Sequence, residues 1–210
     1  QCWDVLDANV EHIRSSPNLL QDWRWATNFI QVPQNERPAV ALPWSDAEAF
    51  RGIVDRLDAR SALHLGNSSV ARYFNYFPKR VVLYGNRGVA GIDGSLSTAV
   101  GAALAEPARH HTVILGDQSF LYDHNAMYAE ELPQNLTICV LNNAIGGIFD
   151  WLPGTASTGA KARKIFTNAQ EVDLASLVKA FKVAYVCVEN EQELATALTS
   201  VKGLTVIDCK

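Results

Sequence analysis

The stretch LGDQSFLYDHNAM, residues 115–127, decides how the chain is read. It closes a short apolar run at 112–115 with a lone acid, Asp117, and from Ser119 onward carries a helical stripe of Leu121, Tyr128 and Leu132. Downstream, CVLNNAIGGIF (residues 139–149) closes a second apolar run, 136–141, with the paired amides Asn142 and Asn143. Working outward, apolar runs at 62–65, 81–84, 112–115, 136–141, 183–188 and 204–207 alternate with helical segments near 68–77, 93–105, 119–132, 173–181 and 191–201. Strand alternating with helix predicts an α/β fold, a doubly wound and mainly parallel sheet with helices on both faces. Ligands of such sheets bind outside the carboxyl ends of the strands, where the strand order reverses. Asp117 and Asn143, each just past a strand, are therefore expected to face one crevice.

Local signals support the helices. SDAE (residues 45–48) offers a capping box from Ser45 to Glu48, ahead of a stripe of Phe50, Ile53, Val54 and Leu57. Leu174, Leu177, Val178 and Phe181 follow helical spacing, and Asn190 with Glu193 repeats the capping pattern before Leu194 and Leu198. Residues 1–40 differ: they hold Trp3, Trp23 and Trp25, are broken at Pro17 and end in VPQNERP. They are expected to be a linker or the remnant of a preceding central domain that packs against a neighbour, with the ligand-binding domain at 41–210.

Composition excludes several classes of function. With 18 basic and 22 acidic residues, a net charge of −4 and no run of five like charges, nothing marks a nucleic-acid binder. No apolar segment is long enough for a membrane span, and no basic leader precedes an apolar core. Cys2, Cys139, Cys187 and Cys209 form no CxxC pair, so reduced thiols and a cytoplasmic location are expected. His64, His110, His111 and His124 show no metal-ligand spacing and read as structural or surface residues.

A carboxylate, an amide oxygen, a backbone carbonyl and phosphate oxygens make an oxygen shell of the kind Mg²⁺ takes. The helix after Asp117 would point free N–H groups at the same anion. A diphosphate held through magnesium is the expected ligand. From local pattern alone, Asp117 could equally cap the helix, Arg72 could be a solvated helix residue, and Arg87 could brace a glycine-bracketed turn.

Gly116-Asp117 followed by Asn142-Asn143 resembles the signature of the carboxy-terminal, diphosphate-binding domain of thiamine-dependent enzymes. GNSSVAR (66–72), NRGVAGIDG (86–94), GDQSFLYDHNAM (116–127) and NNAIGGIFDWLP (142–153), in that order, resemble the 2-succinyl-5-enolpyruvyl-6-hydroxy-3-cyclohexene-1-carboxylate synthase family of menaquinone biosynthesis, over about residues 60–210. The resemblance implies thiamine diphosphate and Mg²⁺ (or Mn²⁺) as cofactors. It implies metal contacts from the Asp117 and Asn143 side chains and the Ile145 carbonyl. Gly116, Ser119 and Ser68 would lie near the diphosphate, Ile92 would bend the cofactor, and the Gly91 carbonyl would hold its amino group. Arg72 and Arg87 would face substrate carboxylates, which a guanidinium fork can grip in pairs. Ile148, Phe149 and Leu152 would form the apolar wall of the substrate pocket.

Two residues depart from the family pattern. Ala144 and Ile145 stand where an amide or acid and then glycine are usual, so a positive φ at 145 would strain a β-branched side chain. Gln118 replaces a glycine common among thiamine enzymes. The implied reaction decarboxylates 2-oxoglutarate and adds the four-carbon unit to isochorismate. The acid that activates the cofactor would come from an amino-terminal pyrimidine-binding domain of a second subunit, in a homodimer or homotetramer, so this chain alone is expected to be inactive. Another thiamine-dependent 2-oxo-acid decarboxylase or carboligase, or a non-catalytic assembly module, are the alternative readings.

Overall fold

The computed structural model describes residues 43–210. The expectations for residues 1–40, including the three tryptophans and the linker, lie outside the described residues. Six strands form one sheet: β1 (Ala62–Leu65), β2 (Val82–Gly85), β3 (His111–Gly116), β4 (Leu136–Leu141), β5 (Ala184–Val188) and β6 (Thr205–Cys209). Every pairing is parallel and the order is β2-β1-β3-β4-β6-β5. Among the described residues the α-helices are α1 (Asp46–Asp55), α2 (Ser69–Tyr76), α3 (Ser95–Ala105), α4 (Asp117–Asp123), α5 (Ile148–Trp151), α6 (Pro153–Ala156), α7 (Ala160–Thr167), α8 (Leu174–Ala180) and α9 (Glu191–Ser200). Among the described residues no helix is long and apolar enough to cross a membrane.

The central strands are buried on both faces because their alternate residues feed two separate cores. Leu63, Leu65, Ile114, Cys139, Leu141 and Ile207 pack with Phe50, Ile53 and Val54 of α1, Val70 and Phe74 of α2, and Leu194 of α9. Val113, Leu115, Ile138, Val140 and Val206 pack on the opposite side with Leu96 and Ala99 of α3, Phe120 of α4, and Leu174 and Val178 of α8. The expected caps form: Ser45 accepts from the Glu48 N–H at 3.4 Å, and Asn190 accepts from the Glu193 N–H at 2.9 Å.

Three details correct the sequence reading. α4 begins at Asp117 rather than Ser119, and after seven residues it tightens into a 3₁₀ turn, His124–Tyr128. The tighter pitch turns Tyr128 outward, so Phe120 and Met127, not Tyr128, are the buried apolar residues of this segment. Residues 148–167, which carry no helical periodicity across their glycines and proline, fold as the short helices α5, α6 and α7. His111 lies within β3, where its Nδ1 meets Nε2 of His64 at 2.9 Å. Burial and the neighbouring His111 push the His64 ring down to about 4, so the pair is neutral at pH 7 and packs as core. Among the described residues Cys139, Cys187 and Cys209 are free thiols.

Gly66 carries β1 past β3 and donates to the Ile114 carbonyl at 2.8 Å. A Cβ there would stand 3.0 Å from Leu115 Cβ, 3.1 Å from its Cα and 3.2 Å from the Ile114 oxygen. Gly66→Val is expected to destabilise the protein by about 3 kcal/mol, since backbone of a central strand must give way. A urea midpoint unchanged from wild type would show that the strands have slack here.

Candidate functional site

The order of the sheet reverses at β1, whose neighbours are β2 on one side and β3 on the other. The chain turns into α2 from one of these strand ends and into α4 from another, on opposite faces. The divergence leaves a crevice at the carboxyl edge. A cavity of about 420 Å³ occupies it. All thirteen residues singled out from the sequence line that cavity: Ser68, Arg72, Arg87, Gly91, Ile92, Gly116, Asp117, Ser119, Asn143, Ile145, Ile148, Phe149 and Leu152.

Asp117 is the first residue of α4 and is only 6% exposed. Burial pushes its carboxyl up from 3.8 to about 6; the Gln118 backbone N–H pulls against this, and the charge of Asp46 adds to it. Such a group is short of a cation. Asn143 lies two residues past β4, and its Oδ1 accepts the Ile145 N–H at 3.0 Å, so amide and turn are set together. Among the described residues no three His, Cys, Asp or Glu side chains converge as a metal cluster. A cation in this cavity would therefore draw on at most two carboxylates, Asp117 and Asp46, with amide and carbonyl oxygens, a donor set suited to Mg²⁺.

The strain expected at Ile145 falls elsewhere: Ala144 takes the positive φ of 59°, which leaves Ile145 free of it. Ala lacks the β-branching that would make this conformation costly, and the Ala144 carbonyl is fixed by the Gln170 N–H at 2.9 Å. Ser68 is also strained, at φ 68° and ψ −131°, where β1 gives way to α2. A non-glycine residue held there points to a surrounding structure that fixes it.

The Ser119 hydroxyl donates to the Ile92 carbonyl at 2.7 Å, so it buttresses the loop that carries Gly91 and Ile92. Arg87 donates to Asn67 Oδ1 at 2.6 Å, and Arg72 donates to the Ser68 carbonyl at 2.8 Å. Both guanidiniums line the cavity and retain further N–H groups for an anion. On the other wall, Ile148 is buried and Phe149 packs on Phe166 with ring centroids 6.0 Å apart.

The sequence reading missed several residues that organise the site. Asn67 is 2% exposed, and its Nδ2 donates to the carbonyls of Asn86, at 2.8 Å, and Gly91. It joins β1 to the loop between β2 and α3 and orients Arg87. Gln118 donates to the carbonyls of Thr167 and Asn168, each at 3.1 Å, which ties α4 to the end of α7. A glycine there would remove both of these bonds, which gives the departure at 118 a structural role. Tyr73 and Asp46 also line the cavity. Asn67 lies within the quoted GNSSVAR, but nothing in its spacing shows that its partners are 19 and 24 residues away.

The family model described as "Thiamine pyrophosphate enzyme, C-terminal TPP binding domain" matches residues 64–209. Several curated proteins called 2-succinyl-5-enolpyruvyl-6-hydroxy-3-cyclohexene-1-carboxylate synthase are similar to the chain. The one from Christiangramia forsetii is 39% identical over 157 residues, 73% of this chain and 26% of that protein. The one from Bacteroides fragilis is 38% identical over 185 residues, 87% of this chain and 32% of that protein. The one from Saccharopolyspora erythraea is 36% identical over 199 residues, 89% of this chain and 35% of that protein. The chain thus spans about a third or less of these relatives. A solved structure described as a thiamin diphosphate-dependent enzyme from Mycobacterium smegmatis superposes with a TM-score of 0.63 at 20% identity. It covers 80% of this chain and 31% of that one, and supports the fold.

Proposed function

Because the chain belongs to the family of C-terminal, thiamine-pyrophosphate-binding domains of thiamine pyrophosphate enzymes, we propose that it is the diphosphate-binding domain of a synthase that decarboxylates 2-oxoglutarate and adds the product to isochorismate. The observation that carries this reading is one cavity holding an under-compensated acid, Asp117, beside two guanidiniums, Arg72 and Arg87, and an apolar wall. Asp117, Asn143 and the Ile145 carbonyl would hold Mg²⁺ (or Mn²⁺), and Gly116, Ser68 and the start of α4 would receive the diphosphate.

Thiamine diphosphate, when bound, supplies the electron sink for loss of CO₂ from a 2-oxo acid. This chain's residues position, charge-match and dry the reactants. Ile92, braced through its carbonyl by Ser119, would offer the cofactor an apolar surface. The Gly91 carbonyl, which accepts from the Asn67 amide, would also hold the cofactor's amino group. Arg72 and Arg87 grip the carboxylates of both substrates, and Asn67 holds Arg87 at its post. Ile148, Phe149 and Leu152 exclude water, which strengthens each of these contacts and orients two reactants together.

The proton-transfer acid that activates the cofactor's pyrimidine ring belongs, on this reading, to an amino-terminal domain of a second subunit in a cytoplasmic homodimer or homotetramer. Residues 1–210 alone are then expected to turn over neither substrate. In the protein as its gene encodes it, Arg87→Ala is expected to raise the KM for 2-oxoglutarate roughly 10- to 100-fold, the worth of a charge-assisted hydrogen bond. Pyruvate, with no distal carboxylate, should be a poor substrate for both forms. Decarboxylation of pyruvate in preference to 2-oxoglutarate would overturn the assignment in favour of a monocarboxylate-handling carboligase.

A further inference from the structure

The Nδ2 of Asn143 donates to Oδ2 of Asp46 at 2.6 Å, across 97 positions of sequence. Asp46 is the first residue of α1 and lines the same cavity as Asp117. An amide has one end that can face a cation and one that cannot. An ionised carboxylate only accepts hydrogen bonds, so it takes the nitrogen end of Asn143. The reversed rotamer would set Oδ1 against a carboxylate oxygen, acceptor against acceptor. On the other side, the Ile145 N–H holds Oδ1 at 3.0 Å and leaves that oxygen one free lone pair. Asn143 is thus clamped at both ends of its amide, and its remaining lone pair is the one available to a ligand.

We propose that Asp46 is a positioning residue for the cation site: it fixes the amide of Asn143 with the oxygen toward the metal. The inference rests on the reading of Asp117 and Asn143 as metal-binding. The ordinary role for an acid in the first turn of a helix is to complement its dipole. That role is already supplied at α1 by Glu48, with Ser45 as the cap. α1 itself is anchored by Phe50, Ile53 and Val54, all fully buried. Loss of the Asp46 carboxylate therefore leaves the helix in place and frees the amide.

The test is Mn²⁺ affinity, read by EPR at saturating thiamine diphosphate, in the protein as its gene encodes it. Asp46→Ala is expected to weaken Mn²⁺ about 10- to 100-fold, the usual cost of removing an outer partner of a metal ligand. Asp46→Asn, which still offers an acceptor to Asn143, should stay within about threefold of wild type. In an Asn143→Asp background, where no amide needs orienting, Asp46→Ala should cost nothing or tighten binding by relieving like charge. Wild-type Mn²⁺ affinity in Asp46→Ala overturns the proposal, and so does an equal loss in both backgrounds, which would mark a merely structural role. Failure of the wild-type protein to bind Mn²⁺ with thiamine diphosphate overturns the proposed function and this inference with it. Binding that ignores Asp46 overturns the inference alone.

Discussion

Asp117→Asn is expected to stabilise the metal-free protein at pH 7.5 and, in the same step, to abolish its hold on Mg²⁺. In the folded chain this carboxyl titrates near 6 rather than 3.8, chiefly because burial disfavours its charge. The sign follows from linkage. Below about pH 3.8 the group is protonated whether the chain is folded or not, and nothing is lost. As the pH rises to about 6 the unfolded chain ionises first, and the folded state falls behind by about 3 kcal/mol. An amide at 117 carries no such burden, so a gain of about 2 kcal/mol is expected at pH 7.5, shrinking below about 1 kcal/mol at pH 4. Asp117 also stands in the first turn of α4, where a helix-stabilising acid would make the substitution costly instead. Urea denaturation at the two pH values therefore separates a strained ligand from a helix cap by sign. Mg²⁺ affinity should drop by at least roughly 100-fold, more than the loss of an outer partner costs.

Asn67→Ala is expected to damage the site more than any other single side-chain truncation outside the proposed ligands. It would leave the Asn86 and Gly91 carbonyls without their buried donor and Arg87 without the oxygen that holds it. Unpaired buried groups of this kind cost about 1–3 kcal/mol each, partly recovered if water enters, so a loss of about 3 kcal/mol in stability is expected. Turnover of 2-oxoglutarate should fall by roughly 100-fold, because the loop carrying Gly91 and Ile92 shifts with the amide that pins it. Hydrogen exchange gives an independent readout: amides 86–92 should lose protection before those of β1 and β3. Wild-type turnover in a folded Asn67→Ala protein would show that the loop holds its own shape.

What was legible in the sequence was the periodic part. The runs at 62–65 and 136–141 coincide with β1 and β4 because a strand buried on both faces is apolar throughout and its ends are marked by polar residues. β3 extends one residue beyond each end of the expected run, since the ladder continues through Gly116 and through the buried His111, whose Nδ1 pairs with His64. Residues 148–167 were illegible as helices because α5 and α6 span only four residues each, too short to show a period. At the site, the residues that meet a ligand were readable because their chemistry is unusual where they stand: an acid and an amide just past apolar strands. The residues that position them were not. Asn67, Gln118 and Asp46 make their decisive contacts across long stretches of sequence, 49 residues for Gln118 to Thr167 and 97 for Asn143 to Asp46. Asp46 in particular disappears inside a capping box that explains its neighbours Ser45 and Glu48 without it.

Pulsed EPR of Mn²⁺ bound together with thiamine diphosphate bears most directly on whether Asp117, Asn143 and Ile145 share one cation with the coenzyme's phosphates. A single Mn²⁺ per cavity, coupled to ³¹P and released on either Asp117→Asn or Asn143→Leu, is the expected result. Mn²⁺ retained with undiminished affinity after both substitutions, or bound without phosphorus coupling, would contradict it.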